Sequence, residues 1–403
     1  STRYSPEVSH HQQLFGPSHS PCCMQRLLRL ISGPMKAAFP ATGPICVTGG
    51  SGFLGSWCIK LLLEAKKAAY LMDLPGASSR LKIFEDVDLL TPGAFDAAIA
   101  GCGAVLHTAS PFYMAGGSEE TALGPDSSAQ EKLVTPAVEG TRNVLSSCHK
   151  LGVKRVALTS STGSVYVNYG KVPADHVYSS ADWSPSELFR EKQNWYCLSK
   201  VLAEETAWKM SREPDCPFQL TVLLPTLIWG PMVPGQPHLN TSASSLVGYM
   251  DGSIQEIENA CKTVVDVRDV ARAHVEAVCR EGLGGQRILL IGGSPHFEEV
   301  ARYIREALPE EMKFKVPSKV SEKLGPAVMG PAPPLPVLYD VSPAEKLSPA
   351  WKDLEGGLQC SAVLAVLRLG ISFKSVEEQV KSMVQSMLEN GFKSVEQYAP
   401  GQM

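Results

Sequence analysis

Between Ile45 and Leu63 the chain reads Ile-Cys-Val-Thr, then Gly49-Gly50-Ser51-Gly52-Phe53-Leu54-Gly55, then apolar residues at helical spacing. A short apolar strand that turns on glycines straight into a helix confines the chain to an α/β arrangement. Each glycine has its own reason. Gly49 permits the tight turn, and Gly52 lets the backbone approach a pyrophosphate. Gly55 allows the helix to pack closely on the strand, and the helix N-terminus faces the phosphates. A glycine-rich turn without a ligand is the competing reading. The strand before the turn and the helix after it favour a dinucleotide site.

Strands and helices alternate beyond this point. Leu81–Val87 reads as a strand, and Thr91 is placed to cap a helix over Pro92–Ala100. Ala104–Ala109 is a buried strand. Glu131–Leu151 is a helix with Leu133, Val134, Val138, Val144 and Leu145 on its apolar side. Arg155–Ser160 reads as a strand, Glu191–Ser211 as a helix and Phe218–Ile228 as a long strand. Such alternation implies right-handed crossovers, hence an α/β fold of Rossmann type with a doubly wound parallel sheet. After Gly230 the punctuation changes, with Pro231, Pro234, Gly235 and Pro237 opening an irregular stretch. The later strand Arg287–Ile291 and helices Phe297–Leu308 and Val376–Leu388 read as a smaller C-terminal substrate lobe. The expected division is a nucleotide-binding domain at 44–230 and a lobe at 231–403, with residues about 262–293 returning to the sheet.

Composition narrows the function classes. Of 403 residues, 19% are charged, and the net charge of −4 gives no electrostatic case for nucleic acid or a membrane surface. No apolar run reaches the ~18 residues of a spanning helix. The 11 cysteines are odd in number and scattered, with no CxxC, which reads as reduced thiols in a cytoplasmic setting. Residues 1–34 are rich in Ser, His and Pro, and Glu7 is their one acidic residue. They read either as a plastid or mitochondrial transit remnant or as sequence upstream of a start at Met35, and in both cases 1–43 is set apart from the fold.

A second motif carries chemistry. Tyr196-Cys197-Leu198-Ser199-Lys200 places Tyr and Lys four apart on one helix face. Phenol is a weak acid, with a pKa of about 10. A neighbouring ammonium favours phenolate and is expected to lower that value, so that the tyrosine passes a proton to a carbonyl oxygen near neutral pH. A surface helix pair is the plainer reading of this spacing. Position argues against it, because the helix follows the strand ending in Thr159-Ser160-Ser161, and the C-termini of parallel strands line the ligand crevice. Ser161 is then placed to bond the same substrate oxygen, with a turn cap as its alternative role.

With these residues in place, residues 45 to about 395 resemble the extended short-chain dehydrogenases/reductases, specifically the dihydroflavonol reductase and cinnamoyl-CoA reductase group. The resemblance rests on VTGGSGFLGSW (47–57), GCGAVLHTASP (101–111), TPAVEGTRNVL (135–145), KRVALTSSTGSVY (154–166), NWYCLSK (194–200), LLPTLIWGP (223–231), VDVRDVARAH (265–274) and FKSVEEQVKSM (373–383), in collinear order. It implies that Ser161, Tyr196 and Lys200 are catalytic and that the cofactor is NADP, with NAD as the alternative. It extends the glycine-turn site to Ser51, Phe53 and Leu54. It adds Thr108, Ala109 and Ser110 along the cofactor, Asp88 and Leu89 at the adenine, Pro225 and Ile228 near the nicotinamide, and Lys67 and Ser242. Asp88 alone also reads as a helix cap. No metal is implied. The partner is a small carbonyl compound, and the assembly a monomer or homodimer.

Two departures stand against the family pattern. Its second strand, with an Arg that reads the 2′-phosphate, is missing where Leu61–Ala65 runs into Lys66-Lys67. Lys66 and Lys67 look like the family's Lys pair, moved up against the first helix. A plainer parse makes Ala69–Met72 the second strand with Asp73 on the ribose, which would favour NAD. Near the C-terminus about twenty residues intervene, with 348–368 reading as an insertion. Substrate is loosely indicated: Asn194–Cys197 resembles cinnamoyl-CoA reductases and Leu223–Gly230 dihydroflavonol reductases. Tyr166 stands five after Ser161, where the latter commonly place Asn. The leading expectation is reduction of an aldehyde, ketone or acyl-CoA. A hydroxysteroid dehydrogenase/isomerase, a sugar epimerase and a non-catalytic NAD(P)-sensing protein are the alternatives.

Overall fold

The computed structural model describes residues 44–63, 67–68, 71–73, 81–85, 87–110, 127–167, 176, 178–236, 239, 241–324, 369, 371 and 373–391, with backbone alone at 67–68, 71–73, 127–132, 241, 243 and 323–324. Segment 1–43, Lys66, the side chains of Lys67 and Asp73, and the insertion expected at 348–368 lie outside the described residues.

Strand β1 (Ile45–Thr48) leads through the glycine turn into α1 (Phe53–Leu63). There follow β2 (Lys67–Ala68), β3 (Leu71–Asp73), the one-turn helix α2 (Asp96–Ile99), β4 (Ala104–His107), α3 (Ser127–Lys150) and β5 (Arg155–Thr159). After a 3-10 turn at Thr162–Ser164 come α4 (Ser186–Glu191), α5 (Trp195–Ser211), β6 (Gln219–Pro225), β7 (Leu227–Trp229), α6 (Thr241–Asp251), β8 (Ile257–Asn259), β9 (Val264–Asp266), α7 (Val267–Cys279) and β10 (Gln286–Leu290). Helix α8 (Phe297–Ala307), β11 (Val320–Leu324) and α9 (Val376–Glu389) complete the elements named here.

Five strands form a parallel sheet in the order β1-β4-β5-β6-β10, the Rossmann-type architecture expected. Both faces are covered. Ala104 and Leu106 of β4 join a core with Trp57 and Cys58 of α1 and Val270 and Ala273 of α7. Val105, one residue out of phase, joins the other core with Val144, Leu145 and Cys148 of α3 and Ala207 of α5. Burial on both faces explains why β4 and β6 are continuous apolar runs. In the C-terminal part β8 pairs with β11, while α8 packs with α9. Among the described residues no helix is long and apolar enough to cross a membrane.

Several local expectations are corrected. Glu191–Ser211 is two helices, broken where Gln193 adopts φ 55°. Asn194 then caps the second, its Oδ1 accepting from the Cys197 amide at 3.1 Å. Phe218–Ile228 is interrupted at Thr226, after which β7 leaves the main sheet to pair with β9. Pro225, which has no N–H for the ladder, sits at that break. The helix expected over Pro92–Ala100 shrinks to Asp96–Ile99, because the Thr91 hydroxyl donates to Asp88 Oδ2 at 2.9 Å instead of capping.

The larger correction concerns the first edge of the sheet. Leu81–Val87 is not a strand: residues 81–85 and 87 carry no ladder. A third strand needs a second to pair with, and among the described residues β1 pairs with β4 alone. Nor does Ala69–Met72 substitute for the second strand. Leu71–Asp73 folds back antiparallel onto Lys67–Ala68 as a separate hairpin. Ile45, Cys46 and Val47 of β1 are accordingly only partly buried, whereas β4 is buried throughout.

Candidate active site

Because the sheet is parallel, β1, β4, β5 and β6 end along one edge, the edge at which open α/β sheets take their ligands. At the end of β1, Gly49 has φ 67°, and a Cβ there would lie 3.0 Å from Ala109 Cα. A Cβ on Gly55 would stand 2.2 Å from the Gly49 carbonyl oxygen, so the start of α1 packs on the turn only as glycine. The Gly52 amide donates to the Gly49 oxygen at 3.0 Å. Gly49, Ser51 and Gly52 are exposed while Phe53, Leu54 and Gly55 are buried. The first turn of α1 carries no acidic residue. An exposed glycine backbone at a positive helix end without an acidic first turn fits a dinucleotide pyrophosphate.

Strand β4 is stapled to this turn. Thr48 Oγ1 lies 2.8 Å from His107 Nδ1 and accepts the Ala109 amide at 3.2 Å, while the Thr108 hydroxyl donates to the Thr48 carbonyl at 2.6 Å. Burial pushes His107 down to about 4, with the Lys200 charge as the second cause, so its ring is neutral at physiological pH. Its Nε2 has no partner among the described residues. Little in the sequence announces this network beyond a polar residue ending an apolar strand.

Ser110, just past β4, accepts a hydrogen bond from Lys200 Nζ at 3.0 Å. That contact links the glycine turn to α5. On α5 the Lys200 ammonium stands 5.7 Å from the Tyr196 ring centroid. Tyr196 shares a side-chain hydrogen bond with Ser161, which follows β5 and also accepts the Gly163 amide at 3.1 Å. Tyr196, Lys200, Ser161 and Ser110 are thus gathered at one place, and Ser161 caps the turn as well as facing the phenol.

The electrostatics correct one expectation. The phenol of Tyr196 is raised, not lowered: burial outweighs everything else, and the Ser161 hydrogen bond is the largest opposing effect. Burial instead acts on the cation, bringing Lys200 down to about 8.

The remaining predicted positions scatter around this centre. Asp88 is exposed, and its carboxylate accepts from the Leu90 amide at 3.0 Å and from the Thr91 hydroxyl, which ties a turn and caps no helix, since the next one starts at Asp96. Leu89 lies against Gly140 of α3, and its carbonyl accepts from Asn143 Nδ2 at 2.8 Å. Pro225 ends β6 opposite Leu290, and Ile228 lies partly buried in β7. The Ser242 carbonyl accepts from the Ser245 hydroxyl at 2.7 Å within α6. The Tyr166 hydroxyl lies 3.5 Å from Thr263 Oγ1. Sequence reasoning missed Glu204, which the structure buries completely beneath Ser160 and Ser164. Its signal was present: it stands one more four-residue step along the face of Tyr196 and Lys200.

The chain has relatives among known proteins. Residues 45–292 match the model of the NAD dependent epimerase/dehydratase family. The chain is 34% identical over 364 residues to a cinnamoyl-CoA reductase of Medicago truncatula, covering 86% of this chain and 96% of that protein. It is 34% identical over 373 residues to tetraketide alpha-pyrone reductase 1 of Arabidopsis thaliana, covering 88% and 98%. Among solved structures, vestitone reductase from alfalfa (Medicago sativa) superposes with a TM-score of 0.59 at 26% identity, covering 87% of this chain and 99% of that one. A yeast methylglyoxal/isovaleraldehyde reductase complexed with NADPH gives 0.64 at 24%, covering 87% and 99%, and so shares the fold. The glycine turn, the sheet that carries it and these relatives together make the chain a member of the NAD(P)-dependent epimerase/dehydratase family, the extended short-chain dehydrogenases/reductases.

Proposed function

We propose that this protein is an NADP(H)-dependent reductase that converts a carbonyl group of an aldehyde, ketone or acyl-CoA to the alcohol or aldehyde level, with Ser161, Tyr196 and Lys200 as its catalytic residues. The observation that carries this is the contact chain from the glycine turn through Ala109 and Ser110 to Lys200, Tyr196 and Ser161. The exposed turn at Gly49–Gly52 and the first turn of α1 would hold the pyrophosphate. When bound, the nicotinamide would supply the hydride to the carbonyl carbon; an aldehyde or ketone then ends as the alcohol, and an acyl-CoA as a thiohemiacetal that breaks its C–S bond to release the CoA thiol and leave the aldehyde. Tyr196 gives its phenolic proton to the carbonyl oxygen, and the Ser161 hydroxyl hydrogen-bonds the same oxygen. Lys200, with its value near 8, is cationic at neutral pH. It favours the phenolate left after proton transfer and has further N–H groups for ribose hydroxyls.

Preference for NADP over NAD rests on the family likeness, with Lys66 and Lys67 as the cations available to a 2′-phosphate. The cinnamoyl-CoA and tetraketide alpha-pyrone reductases among its relatives support an aromatic or polyketide-like carbonyl substrate. Residues 231–403, apart from the β9–β10 segment, serve in this reading as the substrate lobe. Fluorescence titration with NADPH and NADH tests the cofactor, followed by a panel of cinnamoyl-CoA, methylglyoxal, isovaleraldehyde and an aromatic ketone. Tighter NADPH binding and cofactor consumption with at least one carbonyl are expected. Binding without turnover would support a sensing protein, and a retained, non-exchanging cofactor an epimerase.

A further inference from the structure

Beneath the proposed catalytic residues lies a charged group that the reaction does not use. Glu204 is 0% exposed and lies on α5, four residues after Lys200 and eight after Tyr196. All of its acceptor capacity is engaged. Oε2 accepts the Ser160 hydroxyl at 2.6 Å and lies 2.7 Å from the Ser164 hydroxyl, which is also 2.7 Å from the Ser161 carbonyl. Oε1 accepts Trp208 Nε1 at 3.2 Å and Arg287 Nε at 2.6 Å. Arg287, on β10, also donates to the carbonyls of Ser180 and Asp182 at 2.7 Å each and lies over Trp183, 3.8 Å from its ring centroid.

We propose that Glu204 is a positioning residue for proton transfer: its carboxylate pins the Ser160–Ser164 turn, which carries Ser161, to the helix that carries Tyr196. The inference rests on the roles proposed above for Ser161 and Tyr196. Its physical basis is directional. Ser161 stands between two backbone points, one held through the Ser160 hydroxyl and the other through the Ser164 hydroxyl, and both are tied to one carboxylate on the tyrosine's helix. An apolar helix–strand contact would pack as well and avoid burying charge, but it would not aim a hydroxyl. The Ser161 bond is the main interaction that opposes the effect of burial on the Tyr196 phenol, so a displaced Ser161 weakens the acid twice, in geometry and in acidity.

The test separates aiming from folding. Ser160→Ala with Ser164→Ala leaves the Glu204–Arg287 pair and Trp208 in place. Its expected kcat, on the best carbonyl of the panel, is lower by about tenfold or more, with KM and NADPH affinity unchanged. Its Tyr196 Cζ signal, assigned by its loss in Tyr196→Phe in carbon-13 NMR of tyrosine-labelled protein, moves away from the parent's position as the Ser161 hydrogen bond is lost. A second pair holds charge constant. Glu204→Gln and Glu204→Ala are each combined with Arg287→Met, and the Gln form, which keeps an oxygen for the serine hydroxyls, is expected to exceed the Ala form in kcat by about tenfold. Parental kcat and a parental Tyr196 Cζ signal in the double-serine variant overturn the proposal. So do equal kcat values in the Gln and Ala forms, or losses that merely track lowered Tm and NADPH affinity. If Tyr196→Phe itself keeps its activity, the catalytic reading fails instead, and the Tyr196 Cζ signal of the cofactor-free protein still decides whether Glu204 holds Ser161 against the phenol.

Discussion

The two edges of the sheet are built on different terms. Toward β6 and β10 the ladder is continuous over five residues, and a buried Glu204–Arg287 pair ties sheet, helix and loop together. Toward β1 the ladder stops after four residues: β2 and β3 form their own hairpin, and the segment expected to be a third strand has no ladder. The proposed ligand edge spans both. Its proposed catalytic end is held by long-range contacts, whereas its proposed adenosine end rests, among the described residues, on the glycine turn and the Thr48–His107 staple. Chemistry and cofactor selectivity are therefore separable in this chain, and substitutions at the two edges should fail in different ways.

The sharpest contrast is in stability. Arg287→Met leaves Glu204 buried without its cation, a loss of about 3–5 kcal/mol in urea unfolding. Val47→Thr, on the partly buried β1, should cost about 1 kcal/mol or less. Comparable losses at both sites would erase the distinction between the edges.

Acid should act next. The unfolded imidazole of His107 takes its proton near pH 6.5 and the folded one near about 4, so stability is lost as pH falls through that window, by roughly 3 kcal/mol. His274 on α7 behaves alike, although both of its ring nitrogens have partners. Asp269, raised to about 6, has the opposite sign between its ordinary 3.8 and 6. Unfolding free energies of His107→Asn should depend less on pH between about 6.5 and 4. An unchanged slope would remove His107 from the account.

Tyr196→Phe should lower turnover by at least ~10²-fold, about 2.7 kcal/mol, while NADPH affinity stays near the parent's. Near-full activity would remove Tyr196 as the acid. At the other end, Gly55→Ala forces a Cβ against the Gly49 carbonyl. It should cost about 1–3 kcal/mol of stability and weaken NADPH and NADH alike. The smallest effect is a matter of selectivity. Reversing Lys66 and Lys67 to Glu should weaken NADPH by about tenfold more than NADH, with little change in Tm. Equal losses would favour Asp73 at the ribose and NAD as the cofactor.

Local chemistry at single turns was legible in the sequence. Gly49 and Gly55 announced the dinucleotide turn because only a missing Cβ suits φ 67° at one and, at the other, a spot where a Cβ would stand 2.2 Å from the Gly49 oxygen. The step from Tyr196 to Lys200 was visible because helical spacing is local, and the alternation of apolar segments was enough for a parallel α/β sheet. What tertiary structure decided was everything that depends on a partner far along the chain. Leu81–Val87 has the composition of a strand, yet a strand exists only where another offers its backbone groups. Phe218–Ile228 reads as one strand and divides because β9, nearly forty residues on, claims its second half. The phenol of Tyr196 rises where spacing alone suggested it would fall, since desolvation is set by how many atoms surround a group and not by one neighbour four residues away. Glu204 meets Arg287 across 83 residues, a pairing no window of sequence contains.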